Sequence, residues 1–316
     1  MLFWKNYDLL MFVMQEMLSF LQQLARDAGR IMLDHLGRPV TVYRKADETA
    51  VTQVDLEISA LVCERVRHRY PDLYLLTEET KGQSIQGERG LIIDELDGTN
   101  SYLRRQSGFA FQAAYYDNYG EIKLALIYDP QRDLMVHAIK GEGVFLHALE
   151  KTLRIQPPDL RRWQYLRFAH HRHHMPRTFR RLYDQLGVAP EQIVATGCIS
   201  NKVIAFVLGQ VDALIALNRF IPPWDWAPGR LILQELGYTL THLNGQPVGF
   251  DDRPGDSPFG YLVAPARHLP RLLSELTWIQ RRLNRQRRAL AALPAPEAAE
   301  RYLTPAHYAM RSRSSS

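Results

Sequence analysis

The residues best suited to chemistry stand between positions 94 and 101. The chain there reads Asp94-Glu95-Leu96-Asp97-Gly98-Thr99-Asn100-Ser101, directly after the apolar run Leu91-Ile92-Ile93. That run is too short for a helix and is bounded by Gly90 and Asp94, so it reads as a buried strand. Such a strand would deliver several carboxylates to one point, where like charges raise one another's pKa. A hard divalent cation relieves that repulsion. Magnesium in particular takes a few carboxylates together with water and substrate phosphate. Gly98 permits a tight turn. If Gly98, Thr99 and Asn100 open a helix, their free N–H groups would face a phosphate with the helix dipole behind them. The plainer alternative is an Asp-Gly turn with Asp97 as a helix cap.

Other segments of the same chemical character flank this one. Upstream stand Val51-Thr52-Gln53-Val54-Asp55 and Thr77-Glu78-Glu79-Thr80; downstream stands Trp224-Asp225-Trp226-Ala227-Pro228-Gly229. In this order the four segments resemble the inositol monophosphatase family of magnesium-dependent, lithium-sensitive phosphatases. Asp94 to Thr99 is similar to that family's D-P-I/L-D-G-T. Val51 to Asp55 is similar to V-T-x-x-D, Glu78-Glu79 to its acidic pair, and Asp225 to Gly237 to W-D-x-A-x-G followed by E-x-G. Gly197 to Asp212 is similar to its G-S/C-A-A and G-R-x-D stretch, with Gln210 in place of the arginine. The matches span about residues 8–268.

The resemblance implies a layered α-β-α-β-α sandwich of the α/β (α+β) type, commonly a homodimer. It also implies hydrolysis of a small phosphate monoester by in-line attack of a metal-activated water, with two or three magnesium ions. By the same resemblance Glu78, Asp94 and the Leu96 carbonyl hold a first ion, and Asp94, Asp97 and Asp225 a second. Thr99 with Asp55 positions the water, Glu78 belongs to the catalytic set, and Gly98, Thr99 and Asn100 meet the phosphate. Candidate substrates are inositol monophosphate, a sugar bisphosphate, histidinol phosphate and a bisphosphonucleoside. Departures leave the substrate open. Glu95 stands where the family has proline, either adding a carboxylate at the metals or pointing away from them. Pro228 replaces a common alanine and is expected in a first helical turn, where proline is tolerated. Asn201 and Lys202 replace apolar and acidic residues. Asn218 stands where inositol-specific members carry a glutamate against the sugar.

The elements that must position these groups follow from periodicity. Leu9, Phe12, Val13, Met17, Phe20, Leu21, Leu24 and Ala28 predict a helix over 8–36, stopped by Gly37 and Pro39. A second helix is expected over 53–69, then a short strand at 74–76. Antiparallel strands are expected at 109–116, 122–128 and 134–139, with loops at Gly141, Gly143 and Pro157-Pro158. The second half alternates: helices over 176–187, 201–208 and 228–236, strands at 193–195, 213–217 and 261–264, as in α/β layering. The expected division is an N-terminal subdomain 1–155, a C-terminal subdomain 156–275 and a basic tail 276–316, with 280–316 outside the core.

Composition agrees with a globular protein. The chain has 316 residues, 46% hydrophobic and 23% charged, which excludes collagen, coiled coil and general disorder. Two cysteines exclude a disulfide framework. Cys63 reads as core packing, and Cys198 lacks an evident activating base. The longest apolar run near the start, Leu9 to Met14, is far short of the ~20 residues needed to span a bilayer, so a cytoplasmic protein is expected, with no membrane partner. Net charge is +5, with arginines concentrated from Arg281 to Arg288. A solvated extension is the preferred reading of that tail. The rival is a regulatory scaffold binding RNA or protein through it. The His170-His171-Arg172-His173-His174 cluster reads as a surface loop rather than a metal site. Arg104 and Arg105 could attract an anion or be ordinary surface charge.

Overall fold

The computed structural model describes residues 2–44, 50–79, 89–158, 162–171, 175–217, 221–250, 252, 260–277, 281 and 285, with backbone alone for 2–10 and 178. In chain order come α1 (Leu2–His35), β1 (Val42–Arg44), β2 (Ala50–Thr52), α2 (Gln53–Arg69), β3 (Tyr74–Thr77), β4 (Gly90–Asp97) and α3 (Thr99–Leu103). A run of strands follows: β5 (Ala110–Tyr116), β6 (Ile122–Asp129), β7 (Leu134–Ile139), β8 (Gly143–Ala148) and β9 (Lys151–Ile155). The rest alternates through β10 (Phe168–His171), α4 (Arg177–Leu186), β11 (Ile193–Thr196), α5 (Ile199–Val207) and β12 (Ala213–Ala216). It closes with α6 (Pro223–Glu235), β13 (Tyr238–His242), β14 (Tyr261–Pro265) and helical residues 269–277.

Strands β3 to β9 form a seven-stranded sheet in sequence order, and β10 to β14 a five-stranded sheet in the order β11-β10-β12-β14-β13. Every residue of β4 is buried, because helices cover both faces of its sheet. Leu91 and Ile93 pack with Met14, Leu21, Ala28 and Val54 of α1 and α2, while Ile92 packs with Val203, Ala227 and Leu231 of α5 and α6. The period of two that sends alternate side chains to opposite faces thus feeds two cores from one strand. The far side of α5 and α6 meets Ala169, Leu214 and Val263 of the second sheet. That sheet's outer face is closed by Phe179 and Leu182 of α4 and by Leu272 and Leu276. The observed order of layers is α-β-α-β-α, as the resemblance implied.

Several expectations are corrected. Helix α1 begins at Leu2, and Phe12 and Val13 are exposed, so its buried stripe starts at Met14. Helix α5 begins at Ile199 and α6 at Pro223. Pro228 therefore lies beyond the first turn and takes a backbone donor out of the helix interior. Strands β1, β2, β8, β9, β10 and β13 were not expected. Gly143 begins β8 rather than a loop, and β9 is a nearly wholly exposed edge strand without an apolar alternation to read. His170 and His171 belong to β10 and not to a surface loop; His170 is buried and His171 exposed. His173, His174 and, apart from residues 281 and 285, the 278–316 stretch of the tail lie outside the described residues. No helix among the described residues is long and apolar enough to cross a membrane.

Helix α1 rests closely on the first sheet at Gly29. A Cβ there would lie 2.6 Å from Cε1 of Tyr128 and 2.9 Å from Cβ of Pro130. Gly29→Ala is therefore expected to overpack the layer and lower stability by about 1–3 kcal/mol. Urea unfolding would show a reduced midpoint at unchanged slope; an unchanged midpoint would mean that α1 is free to lift.

Candidate metal centre

Strict alternation would place residues 94 and 97 of β4 on opposite faces. The ladder with β5 prevents this. Asp94 pairs with Gln112, but the next pairing is Asp97 with Ala110, three steps on β4 against two on β5. This bulge restores parity, and both carboxylates reach the interlayer that holds α5 and α6. Asp225 arrives there from the first turn of α6, where the helix dipole favours an acid. One carboxylate oxygen from each of Asp94, Asp97 and Asp225 lies within 4.8 Å of the other two.

Two of the acids are held by partners of their own. Asp94 Oδ1 accepts the Leu96 amide at 3.1 Å, and Oδ2 accepts Gln112 Nε2 at 3.2 Å. Asp97 Oδ2 accepts the Ser200 amide at 2.7 Å, across 103 residues of chain. Ser200 lies in the first turn of α5, so Asp97 caps that helix; sequence reasoning had offered it as a cap for the turn that follows it. Burial first, then Asp97, Glu78 and Asp225, push the Asp94 carboxyl well above the usual range. Burial, Asp97 and Glu78 do the same to Asp225, with Lys202 opposing. Glu78 thus lies within electrostatic reach of both. Its amide donates to the Ile93 carbonyl at 3.3 Å, which fixes its backbone beside β4.

A second constellation adjoins the first. Thr52 is the N-cap of α2. Its hydroxyl oxygen accepts from the Val54 and Asp55 amides, and Asp55 Oδ2 accepts the Thr52 amide at 2.7 Å and hydroxyl at 2.5 Å. This capping box leaves Oδ1 of Asp55 to accept the Thr99 hydroxyl at 3.2 Å. The Leu96 carbonyl lies 3.1 Å from the same hydroxyl; with one proton, Thr99 donates to one of the two at a time. Gly98 turns the chain from β4 into α3 at φ +92°. A Cβ there would stand 2.6 Å from the Gly108 carbonyl, so only glycine fits. Asn100 follows in the first turn of α3.

The donor set is all oxygen, mostly anionic, largely buried and preorganised, which is the set a hard divalent cation takes. Of the sequence candidates, Asp55, Asp94, Leu96, Asp97, Gly98, Thr99, Asn100 and Asp225 converge here, with Glu78 beside them. Asn218 lies outside the described residues. Gln112 and Ser200 went unnoticed; the only signal for them is that a buried carboxylate needs a donor. Lys202 also went unread as a site residue. Its Nζ donates to the carbonyls of Gly197 at 2.6 Å and Cys198 at 3.3 Å. Burial and the neighbouring Asp97 push the Cys198 thiol well up, away from the thiolate form in which cysteine attacks.

Glu95 faces the opposite side, toward α2. It is nonetheless buried, and burial lifts it to about 7. The Ser59 and Thr77 hydroxyls restrain that rise, yet neither carboxylate oxygen receives a hydrogen bond of ordinary geometry.

Beside Asp97 and Asp225 a cavity of about 560 Å³ opens between α5, α6 and the second sheet. Trp226 forms part of its wall, while Trp224 is half-buried against the interlayer core.

A model of the inositol monophosphatase family matches residues 13–282, and the chain belongs to that family. Among its relatives, an inositol-1-monophosphatase of Bacillus subtilis is 28% identical over 240 residues, covering 71% of this chain and 84% of that one. A fructose-1,6-bisphosphatase/inositol-1-monophosphatase of Thermotoga maritima is 26% identical over 72% of this chain and 86% of its own. The Nus factor SuhB of Escherichia coli is 25% identical over 73% and 87%. Among solved structures, a Thermotoga maritima IMPase superposes with a TM-score of 0.71 at 22% identity, over 85% of this chain and 99% of that one. The family and its Bacillus subtilis and Thermotoga maritima phosphatase relatives make the chain a phosphatase by class.

The Glu95 carboxyl gives a pH prediction. Its folded value, about 7, lies above its ordinary 4.5, so the native state holds the proton more tightly than the unfolded chain. The resulting stability is complete below the ordinary value and is lost as pH rises through about 7, a loss of roughly 3 kcal/mol by pH 8. In metal-free urea unfolding, Glu95→Gln is expected to exceed the parent at pH 8 and to converge with it toward pH 5. Parallel pH profiles would refute this.

Proposed function

We propose that the chain is a magnesium-dependent phosphatase that hydrolyses a small phosphate monoester. The observation that carries this reading is the convergence of Asp94, Asp97 and Asp225 within 4.8 Å, beside a Thr99 hydroxyl bonded to Asp55. A solved IMPase/NADP phosphatase complexed with magnesium and phosphate, with a TM-score of 0.68 at 21% identity over 84% of this chain and 95% of its own, supports it through the shared fold.

In this reading Glu78, Asp94 and the Leu96 carbonyl hold one ion, and Asp94, Asp97 and Asp225 another, with two or three ions in all. Bound there, the ions lower the pKa of a coordinated water and neutralise charge on the phosphoryl oxygens. The protein's own part is positioning. Asp55 accepts a hydrogen bond from the Thr99 hydroxyl, which leaves the Thr99 oxygen lone pairs to accept from a water. Gly98, Thr99 and Asn100 present backbone donors to the phosphate at the start of α3, and Asn218 is assigned to the substrate side. No protein nucleophile is required. Burial excludes bulk water from Asp94 and Asp97, which strengthens every charge interaction among them. Lithium sensitivity, a homodimer and a cytoplasmic location are proposed with the same reading. The relatives called Nus factor SuhB make tail-dependent binding of RNA or protein an outcome to be looked for, by deleting residues 280–316.

The test is phosphate release with magnesium from inositol 1-phosphate, fructose 1,6-bisphosphate, histidinol phosphate and adenosine 3′,5′-bisphosphate. Outer-shell partners of a metal alone are worth roughly 10–100-fold, so Asp97→Asn is expected to lose more than that. No release in folded, magnesium-binding protein would discard these substrates; no release and no magnesium binding would discard the reading.

Magnesium binding has its own readout. At a hundred times its Kd the ion should stabilise the fold by about 2.7 kcal/mol, and calorimetric melting of Asp94→Asn should show almost none of that gain. An equal gain in both proteins would place the ion elsewhere.

A further inference from the structure

The cavity beside Asp97 and Asp225 has a wall that is mostly aliphatic and aromatic, with Lys202 of α5 and Arg230 of α6 set into it and His170 and His171 of β10 also lining it. Arg230 Nη1 donates to the Val248 carbonyl at 2.9 Å, and its guanidinium lies 5.6 Å from the centroid of the Trp226 ring. Lys202 uses two of its three donors on the Gly197 and Cys198 carbonyls. Among the described residues neither cation makes an ion pair with a carboxylate; burial alone depresses Arg230, and Lys202 feels Asp97 and Asp225 only at longer range.

Such placement is costly. A buried charge needs a counter-charge and hydrogen-bond partners. Lys202 also sits at the N-terminal end of α5, where the helix dipole is itself positive. The three carboxylates offset Lys202 only while they are unneutralised, and they form the site for divalent cations. Once their charge is matched, Lys202 and Arg230 remain as two positive groups facing one cavity. The aliphatic wall offers them nothing. Among the described residues, inositol, with a hydroxyl on each remaining carbon, would meet few polar partners on that wall.

We infer that this cavity takes a phosphate ester bearing a second anionic group, bound by Lys202 and Arg230. The inference rests on the phosphatase reading for the first phosphate and adds the substrate class. The second group is a phosphate or a carboxylate, both of which match the planar fork of an arginine.

Non-hydrolysable probes separate the claims. Calorimetry in magnesium would compare alkylphosphonates with alkane bisphosphonates and phosphonocarboxylates of equal length. A doubly anionic probe is expected to bind at least roughly tenfold tighter than its monoanionic partner, as for a charge-assisted, desolvated contact. Whichever of the two classes gains identifies the second group. Lys202→Met and Arg230→Met should each reduce the advantage, and Arg230→Lys should keep part of it. Equal affinity of the paired probes in the parent protein overturns the proposal without recourse to any variant. So does an advantage that survives in both methionine variants. Phosphate release is read separately. A preserved preference for doubly anionic probes without release from any ester would remove the phosphatase reading and leave the second-anion site.

Discussion

Three carboxylates brought within 4.8 Å of one another in a buried place set the problem that the surrounding structure answers. In water the groups would separate; here burial and mutual repulsion both act against their charge. They stay because each is anchored by an element that cannot yield. Asp94 takes Gln112 from the neighbouring strand, Asp97 takes the first turn of α5, and Asp225 rides the first turn of α6. Those elements are rigid because each lies in an inner layer of the five-layer sandwich, packed on both sides. Releasing α5 or α6 from either sheet would loosen a ligand.

The bulge in β4 connects this chemistry to the sheet. Without the extra residue, Asp97 would join Leu91 and Ile93 against α1 and α2. With it, Glu95 and Leu96 take up the change of side, and Glu95 is left on the apolar face. The position that resembles a proline in related sequences thus holds a carboxyl that titrates near neutrality. It faces away from the metal ligands but is not isolated from the fold's stability. Nearby, α2 shows the opposite economy. One aspartate, Asp55, closes a helix cap with one oxygen and holds Thr99 with the other, so the same hydrogen bonds that start the helix also orient a site residue.

The cations of the interlayer give the site its own character. Lys202 and Arg230 face the cavity from the two helices that deliver Asp97's anchor and Asp225. Charge of both signs therefore converges from α5 and α6, while the second sheet supplies an apolar wall. The division suits a ligand with charge at separate points and little polarity between them.

Much of this was legible in the chain itself. The acidic turn from Asp94 to Thr99, its flanking segments and the α/β layering follow from local patterns, because strand alternation, helix periodicity and glycine turns are properties of neighbouring residues. The unexpected elements are those whose local signal is weak: β9 at an exposed edge, β10 ending in histidines, and a start of α6 rich in proline. Sequence alone determined which residue types were available for a metal and a phosphate, and in what order they occur. Tertiary structure decided that Asp94 and Asp97 share a face, that Gln112 and Ser200 hold them, that Glu95 is buried, and that Lys202 and Arg230 meet at one cavity. Each of these depends on register or packing between segments far apart in the chain, and no spacing along one strand or helix encodes the partner it will meet.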